Sequence, residues 1–153
     1  MKTLKLFGIL FIAALMFNSC SEDNISEAEF VGTYTGTIDC VLKVEGESDI
    51  NLDNLPYTLT ITNTVDGDKK IKLADGGLLD GYEVTISGND FNGSDQQTVT
   101  VLDLGDDNLL NNVTFTRSTS GELDGDDLDH SFSVTGTSDE GNFSFVCTGM
   151  LTK

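Results

Sequence analysis

His130 is the one histidine of the chain and stands between Asp129 and Ser131, so the residue types of a hydrolytic triad occur side by side. Adjacent residues of a strand point to opposite faces, whereas a triad needs its base to reach both nucleophile and carboxylate. The tripeptide therefore builds no catalytic centre, and His130 reads as a hydrogen-bonded strand-end residue. A second candidate is the acidic run Glu122-Leu123-Asp124-Gly125-Asp126-Asp127-Leu128-Asp129. Its carboxylates are the hard oxygen ligands that calcium takes. The glycine is misplaced for an EF-hand loop, and Thr135-Gly136 stands where a closing glutamate would be sought, so the run reads as a solvated acidic turn. No phosphate-cradling glycine loop and no activated nucleophile follows. The expectation is no enzyme, no metal site and no cofactor.

Charge narrows the partners. The chain carries 26 acidic and eight basic residues, a formal charge of −18. Residues 1–19 hold two of the basic residues and no acidic one, so the part beyond them sets six positive charges against 26, a charge of −20. Such a surface repels nucleic acid and anionic headgroups and serves solubility. Nucleic acid is excluded as a partner.

The first segment reads as an export signal. Lys2 and Lys5 precede an apolar run from Leu6 to Phe17 that stops at Asn18-Ser19-Cys20, too short for a permanent membrane span and ordered as a secretory signal is. Ser19-Cys20 resembles the cleavage box of bacterial lipoproteins. That resemblance implies removal of residues 1–19 and acylation of Cys20, palmitate among the chains, with the protein held to a membrane through this anchor. Ser21-Glu22-Asp23 resembles the serine-and-acid tag that sends lipoproteins of some Gram-negative bacteria to the outer face of the outer membrane. Residues 20–29 then form a lipidated N-terminus and acidic tether, and residues 30–153 one domain, large enough for a core of its own.

What positions any site in that domain is a run of strands. In residues 30–42, Phe30, Gly32, Tyr34, Gly36, Ile38, Cys40 and Leu42 alternate with a threonine-rich set, the period of two that marks a strand with one buried face. The same alternation predicts strands over 57–65, 70–73, 81–87, 97–103, 109–117, 130–137 and 142–151, with Tyr82, Val99, Val101, Phe115, Phe132 and Phe145 among the inward residues. Asp66-Gly67 supplies a tight hairpin, 74–80 a glycine-rich turn, and 118–129 an acidic loop. Residues 45–56 make a long connection whose Ile50, Leu52 and Leu55 predict a lid folded back on the domain. Eight antiparallel strands joined in sequence close into an up-and-down barrel. A sandwich gives the same alternation, but no long crossover is visible. The predicted fold is all-β.

Phe30-x-Gly32-x-Tyr34-x-Gly36 on the first strand, followed by short strands behind a lipoprotein signal, resembles the lipocalin-like or calycin-like domains of bacterial surface lipoproteins. The resemblance covers residues 30–151. It implies a calycin-like barrel with an interior able to take a small apolar ligand. Lipocalins carry a tryptophan where Tyr34 stands, and this chain has none.

With the first strand leading away from the anchor, Tyr57, Tyr82, Asn111 and Phe143 lie at the outward mouth beneath Ile50, Leu52 and Leu55, an apolar cup with a few polar groups. The same inward rings could instead fill an eight-stranded interior, which would leave a structural or protein-interaction module. The barrel also sets Cys40 opposite Cys147, one on the inward face of the first strand and one on that of the last, which predicts a disulfide in a compartment where disulfides persist, the alternative being two buried free thiols packed as small apolar residues. That register sets Ile38 opposite Gly149 and Gly36 opposite Leu151.

Overall fold

The computed structural model describes residues 26–64, 69–103, 109–139 and 141–153. A helical turn α1 (Glu27–Phe30) precedes β1 (Gly32–Val44), β2 (Ile50–Asn63), β3 (Lys70–Ala74), β4 (Tyr82–Ser87), β5 (Asp90–Asp103), β6 (Leu109–Asp124), β7 (Asp127–Ser138) and β8 (Gly141–Thr152). Each strand pairs with the next and β8 returns to β1, so the sheet is a closed antiparallel barrel in up-and-down order. A sandwich is thereby excluded. The closing register is the expected one: Cys40 faces Cys147, Ile38 faces Gly149 and Gly36 faces Leu151. At the two glycines there is no room for more. A Cβ on Gly149 would strike the Thr37 carbonyl and Ile38, and one on Gly36 would lie 2.6 Å from the Met150 carbonyl.

The stagger of the barrel follows from its pairs. Starting at Leu42, the row of partners runs through Phe145, Val134, Arg117 and Asp95 on β8 to β5. Carrying the Thr85 to Asn92 register on to Tyr82 leads through Leu73 and Ile61 to Gly32, ten residues back along β1. An eight-stranded barrel encloses just enough space to be filled by side chains or to hold one small ligand.

Several expected boundaries change. Residues 50–56 are not a lid: Ile50, Leu52 and Leu55 belong to β2, paired with Leu42, Cys40 and Ile38. Asp53 and Asn54 stand opposite the single residue Asp39, Asn54 has φ +56°, and its amide donates to Asp39 Oδ1 at 2.7 Å. This is a β-bulge, which resets the inward phase and interrupts the plain alternation that would have marked a strand. The 118–129 loop is likewise a correction. β6 runs to Asp124, and a two-residue Gly125-Asp126 turn leads straight into β7. Gly125 takes the φ of +64° that a Gly-X hairpin requires.

β5 starts at Asp90, seven residues before its expected start, and Val101 points outward, half exposed, while Leu102 is buried. Across the ladder Leu110 and Val113 are both inward and Asn112 between them has φ +48°, so the hairpin changes face at that point. Asn111 accordingly lies on the outer surface and does not line the mouth. At the other end, Glu27, Ala28 and Glu29 of the expected tether form a helical turn with Phe30, the expected first residue of the first strand, which is fully buried. Cys20, the signal segment, Asp66-Gly67 and residues 104–108 lie outside the described residues.

Candidate ligand site

The barrel has a near end, where α1 enters, and a far end, where β1 turns into β2. The near half is solid. Phe30 packs edge-on against Phe91, with ring centroids 6.0 Å apart, and Tyr34 Oη donates to the Phe30 carbonyl at 3.0 Å. Phe30, Tyr34, Leu128 and Leu151 have no exposed surface. Burying each such side chain stabilises the fold by about 1.5–3 kcal/mol.

An aromatic column rises from this floor. Phe91, His130, Phe132 and Phe145 follow one another with centroid separations of 6.1, 5.9 and 6.0 Å. Tyr57 reaches into the lumen from β2 and lies nearly parallel to His130, 5.8 Å between centroids and 13° between planes. Because β2 begins at Ile50, Tyr57 stands at mid-barrel and not at the mouth. It forms the floor of the far half.

His130 sits within β7, fully buried and inward, not at a strand end. Gly121, its partner on β6, leaves the space that the Phe91 ring fills. Thr119 Oγ1 lies 3.0 Å from His130 Nε2 and donates its hydrogen to the Ser131 carbonyl at 3.1 Å. A hydroxyl has one hydrogen to give. Nε2 therefore carries the ring proton and donates to Thr119, and Nδ1 presents a lone pair. Burial pushes the imidazole down to about 4, so it is neutral at physiological pH.

The far half has a short sheet wall on one side. β3 and β4 have five and six residues beside neighbours of 14, so the wall between β2 and β5 stops halfway up. Residues 75–81 cover the gap, and Leu79 in their middle is fully buried. This segment is the cover that the sequence placed at 45–56. Asp75 Oδ1 accepts from the amides of Gly77 and Leu79 at 2.8 and 3.0 Å, and Asp80 Oδ1 accepts from those of Asp75 and Gly76 at 2.9 and 2.7 Å.

Both flanking walls hold the loop. From β2, Tyr57 Oη donates to Asp75 Oδ2 at 3.1 Å; burial first, and then the Asp75 charge, push its pKa up. From β6, Arg117 Nη1 donates to the Leu78 carbonyl. The rest of that guanidinium is engaged too: Nε and Nη2 reach the two oxygens of Asp95 at 2.7 and 3.0 Å, and the group lies 4.2 Å above the Tyr82 ring. Arg117 hydrogen bonding holds the Asp95 carboxyl below the usual carboxylate range.

Of the residues expected at the mouth, Leu52, Leu55 and Phe143 line the far half, with Ile50 at its rim, 40% exposed. Tyr57 and Tyr82 flank the 75–81 loop below them, and Asn111 is elsewhere. No family model, no curated protein and no solved structure matches the chain. The site rests on its own geometry. Sequence reasoning passed over Arg117, Asp95 and Gln97, although Arg117 continues the inward phase of Val113 and Phe115, and Asp95 and Gln97 that of Val99. Among the described residues no group of three or more His, Cys, Asp or Glu side chains could hold a metal ion.

Proposed function

We propose that this protein is a non-enzymatic, calycin-like lipoprotein, anchored through Cys20 at the outer membrane of a Gram-negative bacterium, that binds a small, largely apolar ligand in the far half of its barrel. One observation carries the binding reading. The inward residues Leu52, Leu55, Tyr57, Gln97 and Val99 are only partly buried, and they gather beside the side of the barrel where the wall is short. An apolar concavity with a few convergent polar groups is what a small-molecule site requires. Cys20 stands six positions before Ser26 at the near end, an arrangement that leaves the far half directed away from a membrane anchor.

The solid near half favours a second reading, in which the whole barrel is filled and its loops meet a protein partner. Titration with the uncharged fluorophore N-phenylnaphthylamine separates the two. Saturable binding that Tyr57→Ala weakens supports the ligand site; absence of saturable binding to the wild type favours the interaction module.

A further inference from the structure

Among the described residues, two buried side-chain atoms lack a hydrogen-bond partner, Tyr82 Oη and His130 Nδ1. Tyr82 is 6% exposed and His130 is not exposed at all. A buried polar group without a partner is costly, and native structures keep few of them. The two belong to one neighbourhood. Tyr82 Oη lies above Gly93, 3.1 Å from where a Cβ would stand, and Gly93 pairs across the ladder with Thr119, the residue bonded to His130. Their hydrogen-bonding roles are complementary. With Nε2 committed to Thr119, His130 Nδ1 can only accept; Tyr82, whose pKa burial raises, keeps its proton and can donate.

The charges of the lumen point the same way. Among the described residues Arg117 is the one cation that the sheet turns inward, and its charge is already paired with Asp95, whose two oxygens take Nε and Nη2 while Nη1 donates to the Leu78 carbonyl. Among the described residues a ligand carboxylate would find no positive charge there that is not already paired with a carboxylate, and it would meet Asp95 and Asp75. A carboxylate would also lack the hydrogen that His130 Nδ1 needs.

Deepening the ligand-binding reading above, on which it rests, we propose that the lumen selects neutral, hydroxyl-bearing amphiphiles over anionic ones. The ligand hydroxyl donates to His130 Nδ1 and accepts from Tyr82 Oη, while the hydrocarbon lies against Leu52, Leu55 and Val99. The 75–81 loop, whose Leu79 plugs the short wall, is the part of the lining that can yield without breaking a ladder.

Competition for bound N-phenylnaphthylamine tests this with octanol, methyl octyl ether and octanoate at about pH 8, where the acid is ionised and His130 neutral. Octanol should compete at least about tenfold better than the ether, the factor expected for one hydrogen bond to a buried group, and octanoate should not compete. The chain has a single histidine, so its ¹⁵N signals need no assignment. Saturation with octanol should move the Nδ1 resonance and leave Nε2 nearly in place. In His130→Phe the preference for alcohol over ether should vanish; if that variant does not fold, the resonance of the wild type decides. Octanoate competing as well as octanol, or octanol displacing the probe with Nδ1 unmoved, overturns the proposal and leaves the ligand site standing. A probe that never binds saturably removes both.

Discussion

Cys40 and Cys147 face each other across the seam between β1 and β8, their Cα atoms 4.1 Å apart and their sulfurs bonded. The bridge joins the first strand to the last, 107 positions apart, at the one place where the closed sheet has no covalent continuity through a turn. Both side chains are buried inside the barrel.

Removing that bridge should therefore loosen the seam. In the chain-entropy model, closing so long a loop contributes about 4–5 kcal/mol. Urea denaturation of the double variant Cys40→Ala, Cys147→Ala should show a loss approaching that value. Intact mass without reductant should lie two hydrogens below the dithiol form. A midpoint that does not move on reduction would mean that the ladder alone holds the seam.

A second expectation concerns acid. His130 takes a proton near pH 6.5 when unfolded, and only near pH 4 in the fold. Between those values the unfolded chain binds more protons, so stability rises with pH there, is complete above 6.5 and falls as the solution is acidified. The full difference amounts to about 3 kcal/mol. Comparing wild type with His130→Phe isolates it from the carboxylates: the gap between their unfolding free energies should change through that window and flatten outside it. Parallel profiles would show that the imidazole is not desolvated.

How much of this was legible follows from which residues obey a simple period. The alternation of β1, β4 and β8 reads directly as strand, and with it the closing register and the disulfide. Residues 50–56, and the facing of Val101 and Asn111 within strands that the alternation does find, escape that period, because Asn54 and Asn112 adopt positive φ and reset the inward phase with no glycine at either position to mark it. The site was harder still. Tyr57 and His130 are 73 positions apart in the sequence, and they stack only because the lumen brings β2 opposite β7. Composition carries no sign of such a contact.

The proposed lipid anchor has its own test. Cys20→Ala should shift the protein from the membrane fraction to the soluble one, since acyl chains contribute about 0.8 kcal/mol for each buried methylene. Continued sedimentation with membranes, released only by detergent, would remove the lipoprotein reading while leaving the barrel untouched.

The last expectation concerns what keeps the short wall closed. Arg117 ties β6 to the Leu78 carbonyl and to Asp95 at once, and its side chain is only 12% exposed beside an Asp95 that is 34% exposed. Replacing it by methionine keeps the length of the stem and removes every donor. Asp95 then loses its counter-charge in a half-buried setting, which costs about 2 kcal/mol after allowance for the water that still reaches it. If the loop is fastened from this side, hydrogen exchange at the Leu79 amide should quicken in Arg117→Met by more than the global loss of stability explains. Ladder amides of β7 and β8 should slow or quicken only with that global change. Asp95→Asn, which removes the charge but not the shape, should destabilise less and leave the Leu79 amide nearly as protected, because the bond from Arg117 to the Leu78 carbonyl survives. Equal acceleration in both variants would place the fastening in the ion pair and not in the loop contact.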